Sequence, residues 1–130
     1  MAGLAAATYA GYFSSAFILL PAGRDMISYG TCILPGESKT RPLMDAKSPF
    51  ARNFMWGVWG LNHCAMSLLK CWAIYKMDKP LLQFLGVTAA LTFGYLVKEK
   101  GSLSKAGGDL GGFIAICGVQ TATLAYLSMQ

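Results

Sequence analysis

Residues 50–75 read FARNFMWGVWGLNHCAMSLLKCWAIY, and this stretch decides the fold. A helix of this length crosses the hydrocarbon core of a bilayer, which needs about 20 predominantly apolar residues. At alternating steps of four and three, one stripe of the helix carries only small or polar residues: Asn53, Gly57, Gly60, Cys64, Ser67 and Cys71. Because small residues at this spacing let another helix pack closely, the stretch predicts a membrane span with a helical neighbour.

Three further apolar segments supply the neighbours, and we predict spans at about residues 2–20, 50–75, 81–97 and 110–129. Each new segment has its own row of small residues: Ala7, Gly11 and Ser15; Gly86, Ala90 and Gly94; and Gly111, Ala115, Gly118, Ala122 and Ala125. The first segment lacks the basic start of a signal peptide, so we expect it to be retained. The predicted fold is all-α, an integral membrane four-helix transmembrane bundle that forms a single domain over residues 1–130.

The connections predict how the spans are arranged. The long loop at residues 21–49 lies between the first two spans, and loops of this length often serve as docking surfaces. The sequence KMDKP at residues 76–80 predicts a tight turn that makes the second and third spans antiparallel neighbours. Loops 21–49 and 98–109 hold most of the lysine and arginine, so they are predicted to face the stroma or the mitochondrial matrix.

The composition excludes several classes of function. Hydrophobic residues make up 55% of the chain and charged residues 13%, about half the charged share of a typical soluble domain. The net charge of +5 comes from residues beside the spans, so we predict contacts with lipid headgroups and none with nucleic acid. The four cysteines form no CxxC pair and no zinc-ligand spacing, which predicts buried, inert thiols and no metal site.

Polar residues inside the predicted spans are few, and none of them is Asp or Glu. A general acid–base pair is therefore missing, and we predict that the chain is not an enzyme and has no catalytic residues. We expect Gln120 to hydrogen-bond to Asn62 or His63 if the fourth span packs on the second, and these amides to hold helices together. Lys70 lies within about two turns of the end of its span, so its side chain is expected to reach the headgroups.

His63, the single histidine, is the one candidate for cofactor binding. It lies midway along its span, with the small residues Gly60 and Ser67 on the same face. A neutral imidazole beside an open, flat space can be the axial ligand of a tetrapyrrole, and one such histidine is sufficient for chlorophyll. The alternative, which we prefer, is a core histidine hydrogen-bonded to Ser67, Asn62 or a backbone carbonyl.

Four-span proteins with so little mass outside the bundle resemble the accessory subunits that surround large energy-transducing complexes. This architectural analogy implies a non-catalytic structural subunit whose partners are other membrane subunits and lipids. We favour an algal photosystem–antenna assembly of the thylakoid membrane, with a chlorophyll on His63 and lipids or carotenoids at the bundle surface. A respiratory or ATP synthase subunit of the mitochondrial inner membrane is the first alternative. A free-standing four-span carrier or membrane enzyme is the second.

Overall fold

A computed structural model describes residues 1–28, 49–105 and 111–130 of the chain. They form four α-helices: α1 (Ala2–Ser28), α2 (Pro49–Lys76), α3 (Lys79–Lys105) and α4 (Gly111–Ser128). No strand occurs in these ranges, so the all-α prediction is confirmed for them. Most of the predicted long loop and the last part of the predicted loop at 98–109 lie outside the described residues.

Two helices continue past the ends that the sequence predicts. α1 runs through Pro21 and Gly23 to Ser28, and α3 continues through the charged sequence after Val97 to Lys105. A single proline removes only one backbone hydrogen bond, and lysine and glutamate favour helix, so neither feature has to end a long helix. The prediction of a loop at residues 98–109 is therefore wrong for residues 98–105, which are helical.

Within the described residues, three helices are long and apolar enough to cross a membrane: Ala2–Leu20, Lys79–Ser102 and Gly111–Ser128. These lengths are compatible with a membrane protein. α2 is not among them, because Asn62, His63 and Lys70 lower its mean hydropathy. A fourth span at α2 therefore stays a prediction.

The turn between α2 and α3 is as tight as the sequence predicts, since only Met77 and Asp78 separate the two helices. Met77 has a φ of 50°, and the N–H groups of Met77 and Asp78 donate to the carbonyls of Ile74 and Ala73 at 3.2 Å. This is a Schellman C-cap with methionine in the position that glycine usually occupies. Asp78 Oδ1 then accepts from the Leu81 N–H at 3.1 Å, which caps α3.

The helices pack in the order α2, α1, α4, α3 around the bundle. Extensive contacts join α1 to α2, α1 to α4, and α3 to α4, whereas α2 and α3 contact each other little. The turn therefore makes α2 and α3 consecutive antiparallel helices, as the sequence predicts, but they contact each other at few positions. One consequence is an opening between these two helices.

Two apolar clusters form the core. The first lies at the turn end and contains side chains of α2, α3 and α4, with partly buried residues of α1 against it: Ala73, Ile74, Leu82, Leu85, Ala89, Leu124 and Leu127, together with Ala7 and Tyr12. The second contains only α3 and α4 side chains: Leu96, Ile114 and Cys117, with Phe93 and Phe113. Close packing across all four helices is thus concentrated at the turn end.

The four predicted rows of small residues differ in burial. Gly11 and Ser15 of α1 are buried, as are Gly60 and Ser67 of α2, so these two rows face neighbours as predicted. In α3 only Gly86 is buried, while the other two members are exposed. The predicted α4 row is wrong, because four of its five members are exposed and a different face is buried: Ile114, Cys117, Gln120, Thr123, Leu124 and Leu127.

Candidate functional site: a polar cluster inside the bundle

Three polar side chains from three helices meet inside the bundle. Lys70 of α2 donates from Nζ to Gln120 Oε1 of α4 at 2.5 Å, and Gln120 Nε2 donates to Ser15 Oγ of α1 at 3.3 Å. Gln120 is 2% exposed and Ser15 is 1% exposed. Because buried polar groups need partners, this chain of hydrogen bonds fixes the relative positions of the three helices.

The cluster lies deep along the helix axis. Gln120 is close to the middle of the 18-residue helix α4. At a rise of about 1.5 Å per residue, it is roughly 12–13 Å from either end of α4. The bond to Gln120 therefore directs the ammonium of Lys70 toward the middle of the bundle.

Two predictions about these residues are wrong. Lys70 was expected to extend toward the headgroups, but its side chain turns inward to Gln120. Gln120 was expected to bond to Asn62 or His63, whereas its partners are Lys70 and Ser15, and Asn62 is exposed. The predicted role of Gln120 as a contact between helices is confirmed, with different partners.

A cleft of about 100 Å³ adjoins the cluster. Every helix contributes to its lining, and the lining residues are Ile18, His63, Met66, Lys70, Thr88, Ala89, Thr92, Phe113, Cys117 and Gln120. The hydroxyls of Thr88 and Thr92 donate to backbone carbonyls of their own helix at 2.9 Å. Among the described residues that line the cleft, none carries a carboxylate, so its polar side is dominated by a cation and an amide.

His63 has aromatic neighbours. Its ring lies 4.2 Å from that of Trp59 at an angle of 59°, and 5.7 Å from that of Phe113 in an edge-on arrangement at 85°. The ring of Trp59 therefore contacts the imidazole directly. Of the three hydrogen-bond partners predicted for a core His63, Ser67 is excluded, since its Oγ is buried and has no hydrogen-bond partner among the described residues.

The space beside His63 limits what the imidazole can hold. The cleft of about 100 Å³ is small, and side chains of all four helices line it, so it does not accommodate a tetrapyrrole ring. A chlorophyll on His63 would therefore approach from the outer surface, where the half-buried imidazole is partly accessible.

The described cysteines are free thiols. Cys64 and Cys71 are half-buried, and Cys117 is buried against the α3–α4 cluster. Cys32 lies outside the described residues. Among the described residues, no group of three or more His, Cys, Asp or Glu side chains is arranged to hold a metal ion.

The sequence contained a signal for the Lys70 site. Lys70 follows His63 by seven residues and Met66 by four, so all three lie on one face of α2 and line the cleft together.

Comparison of the chain with models of protein families, with curated proteins and with solved structures finds no match. The chemistry of the site is therefore inferred from its own geometry: a partly buried lysine bonded to an amide, with no carboxylate among the described residues that line the cleft.

Proposed function

We propose that the chain is a non-catalytic accessory subunit of a large energy-transducing membrane complex, and we favour a photosystem–antenna assembly of the thylakoid membrane. The observation that carries the proposal is the outer surface of the bundle. Large apolar side chains are exposed on it, among them Phe13 (65%), Trp72 (56%) and Phe84 (62%). Exposed apolar surface of this extent is typical of contact with lipid or with other membrane subunits.

A groove between α1 and α2 supports the partner and cofactor parts of the proposal. It has a volume of about 670 Å³ and is lined by Tyr12, Ala65, Leu68, Leu69, Cys71, Trp72 and Tyr75. An open, mostly aromatic and aliphatic groove of this volume suits an acyl chain, a carotenoid or a helix of a neighbouring subunit. These are the partners that the proposal assigns to the surface of the bundle.

The polar groups inside the bundle support the non-catalytic part. Proton-transfer catalysis usually pairs a base with a group that orients or activates it. Here the imidazole of His63 contacts two aromatic rings, and Lys70 is bonded to an amide. The main inter-helix polar contacts therefore hold the helices together.

The ends of the helices support the proposed topology. The C-terminus of α1, the N-terminus of α2, the C-terminus of α3 and the N-terminus of α4 all lead into the two basic connections. With four spans, these connections lie on one side of the membrane, which we assign to the stroma on the basis of their positive charge. In the mitochondrial inner membrane, the alternative, the same side would be the matrix.

The experiment combines native electrophoresis with absorption spectroscopy. After gentle detergent extraction, a subunit should migrate in a band of several hundred kilodaltons, in the manner of large multisubunit complexes. A chlorophyll spectrum in that band would identify the thylakoid assembly, whereas a haem spectrum or no pigment would favour the mitochondrial alternative. Migration as a monomer or a small homo-oligomer would contradict the subunit proposal.

The pigment on His63 is tested by substitution within the assembled complex. His63→Leu should remove one chlorophyll per complex and leave the band in place, because leucine fills the space but offers no metal ligand. Asn62→Leu is the matched control, since Asn62 is the exposed neighbour on the same helix and should leave the pigment content unchanged. Equal pigment in wild type and His63→Leu would rule out the axial-ligand role.

A free-standing carrier or membrane enzyme is the second candidate function, and the cleft at Lys70 is the observation that favours it. Ionisable side chains inside membrane bundles often mark a pathway or a binding site. The same electrophoresis separates the two candidates, because a free-standing protein would leave the high-mass band empty.

A further inference from the structure

We propose that the cleft between α2 and α3 binds the carboxylate of a single-chain lipid acid, with the ammonium of Lys70 as its cationic partner. The site is assembled from all four helices and lies beside the Lys70–Gln120–Ser15 cluster. It does not depend on whether the chain is a subunit of a larger complex, because every residue that forms it belongs to this chain.

Charge is the first reason. An ammonium has three donors, and the described acceptor for Lys70 is the amide oxygen of Gln120, which carries no charge. A positive charge in a low-dielectric interior is costly unless an anion pairs with it. No carboxylate occurs among the described residues that line the cleft, and an anionic ligand would supply the missing partner.

Size and polarity define the class of anion. The cleft of about 100 Å³ accommodates a carboxylate with a water molecule or two. A phosphodiester with its glycerol is a larger headgroup than a carboxylate and fits this space less well. Ile18, Met66, Ala89 and Phe113 form apolar walls around the polar end, so the ligand combines a small anionic head with a hydrocarbon chain.

The route of entry is lateral. Contacts between α2 and α3 are few, whereas the other three neighbouring helix pairs are closely packed. On α3, the row Phe84, Val87 and Leu91 is exposed beside the cleft residues Thr88 and Thr92. An acyl chain with its carboxylate at Lys70 would extend out of the cleft along this row. The structure thus favours a lipid-borne acid over a free aqueous anion.

Binding of oleate labelled with carbon-13 at the carboxyl group tests the proposal. The full-length chain is delipidated in a maltoside detergent, and the carboxyl resonance and the Kd are measured on titration. We expect one saturable site in the wild type, and a Kd raised by about tenfold or more in Lys70→Met, because a hydrogen bond to a charged group is lost. Lys76→Met is the matched control, since Lys76 is exposed on the same helix and lies over the rings of Trp72 and Tyr75.

Two ligand controls need no variant and so remain decisive if Lys70→Met fails to fold. Methyl oleate, which keeps the chain and lacks the charge, should not compete with oleate. Acetate should not displace oleate at equal concentration, because the chain contributes to binding; displacement by acetate would overturn the lipid source in favour of a free carboxylate. Equal competition by methyl oleate, or an unchanged Kd in a folded Lys70→Met variant, would overturn the site altogether.

A protein partner is the remaining alternative occupant, and it is tested in native membranes. Carbodiimide joins an amine to a carboxylate in direct contact, so an acidic residue of another subunit inserted at Lys70 would be crosslinked to it. That crosslink would overturn the lipid-acid proposal. We expect the untreated protein to release a fatty acid in a one-to-one ratio. In the carbodiimide-treated protein, Lys70 should be joined to that fatty acid by an amide bond and to no other subunit.

Discussion

Gly11 of α1 packs against side chains of both α2 and α4, and Gly11→Ala tests this packing. A Cβ on Gly11 would lie 2.6 Å from Ile74 Cδ1 and 3.2 Å from Thr123 Cγ2. Ile74 is 2% exposed and belongs to the main apolar cluster, so Cδ1 can turn away only by displacing other core side chains. Overpacking costs about 1–3 kcal/mol, and because Cδ1 is the end of its side chain we expect the lower part of this range, about 1–2 kcal/mol.

Gly94 of α3 is the matched control, since nothing lies within 4 Å of the Cβ that alanine would add there. Both variants exchange a helical glycine for alanine, and this exchange favours the helix by about 1 kcal/mol in each. Comparing the free energies of unfolding of the two variants therefore removes the contribution of helix propensity. Gly11→Ala should therefore have a free energy of unfolding about 1–2 kcal/mol below that of Gly94→Ala.

The assay is thermal unfolding in detergent, followed by tryptophan fluorescence. For a domain of this size the expected difference corresponds to a Tm lower by roughly 3–8 °C in Gly11→Ala than in Gly94→Ala. Equal Tm values, or a lower value for Gly94→Ala, would show that α1 does not pack on α2 and α4 at this point and would refute the described arrangement of helices.

Two further substitutions test the polar contacts. Gln120→Leu removes the hydrogen bonds to Lys70 and Ser15. Because a hydrogen bond between membrane helices is worth about 0.6–2 kcal/mol, the free energy of unfolding measured in an SDS titration should fall by about 1–4 kcal/mol. An unchanged value would mean that the cluster contributes nothing to stability. Asp78→Ala removes the cap on the Leu81 N–H and should lower the free energy of unfolding by about 1 kcal/mol, whereas Asp78→Asn should retain most of it. A similar loss in both Asp78 variants would contradict the capping role.

The sequence predicts the helices better than the faces that they bury. Apolar length and the KMDKP turn are local signals, and they place the helices and the short connection correctly. The sequence of α4 alone does not show which face of the helix is buried. Nearly all side chains of α4 are compatible with lipid, and the helix has no polar face opposite an apolar one. Small residues occur on the exposed side, at Ala115 and Ala122, while Cys117 and Leu124 face the core. Gln120 was the usable clue, since a lone amide in such a helix is expected to face protein.

The position of Lys70 was mispredicted for a different reason. Counted along α2 alone, Lys70 is close to the C-terminal end, which suggests contact with headgroups. In the bundle, the relevant depth is that of its partner, and Gln120 is near the middle of the shorter helix α4. The register of α2 against α4, two helices that run in the same direction, is a property of the packed structure and not of either helix alone.

The uneven packing of the four helices connects the two proposals. The turn holds α2 and α3 together at one end, and the main apolar cluster closes the bundle there, so an opening remains beyond the cluster. Lys70 lies where that closed core ends and the cleft begins. A subunit whose exposed aromatic surface is covered by neighbours would still have this lateral opening, unless a neighbour also covered α2 and α3. Oleate binding can therefore be compared between the intact complex and the separated chain. Equal binding would place the α2–α3 side of the bundle toward lipid, whereas loss of binding in the complex would place that side at a subunit interface.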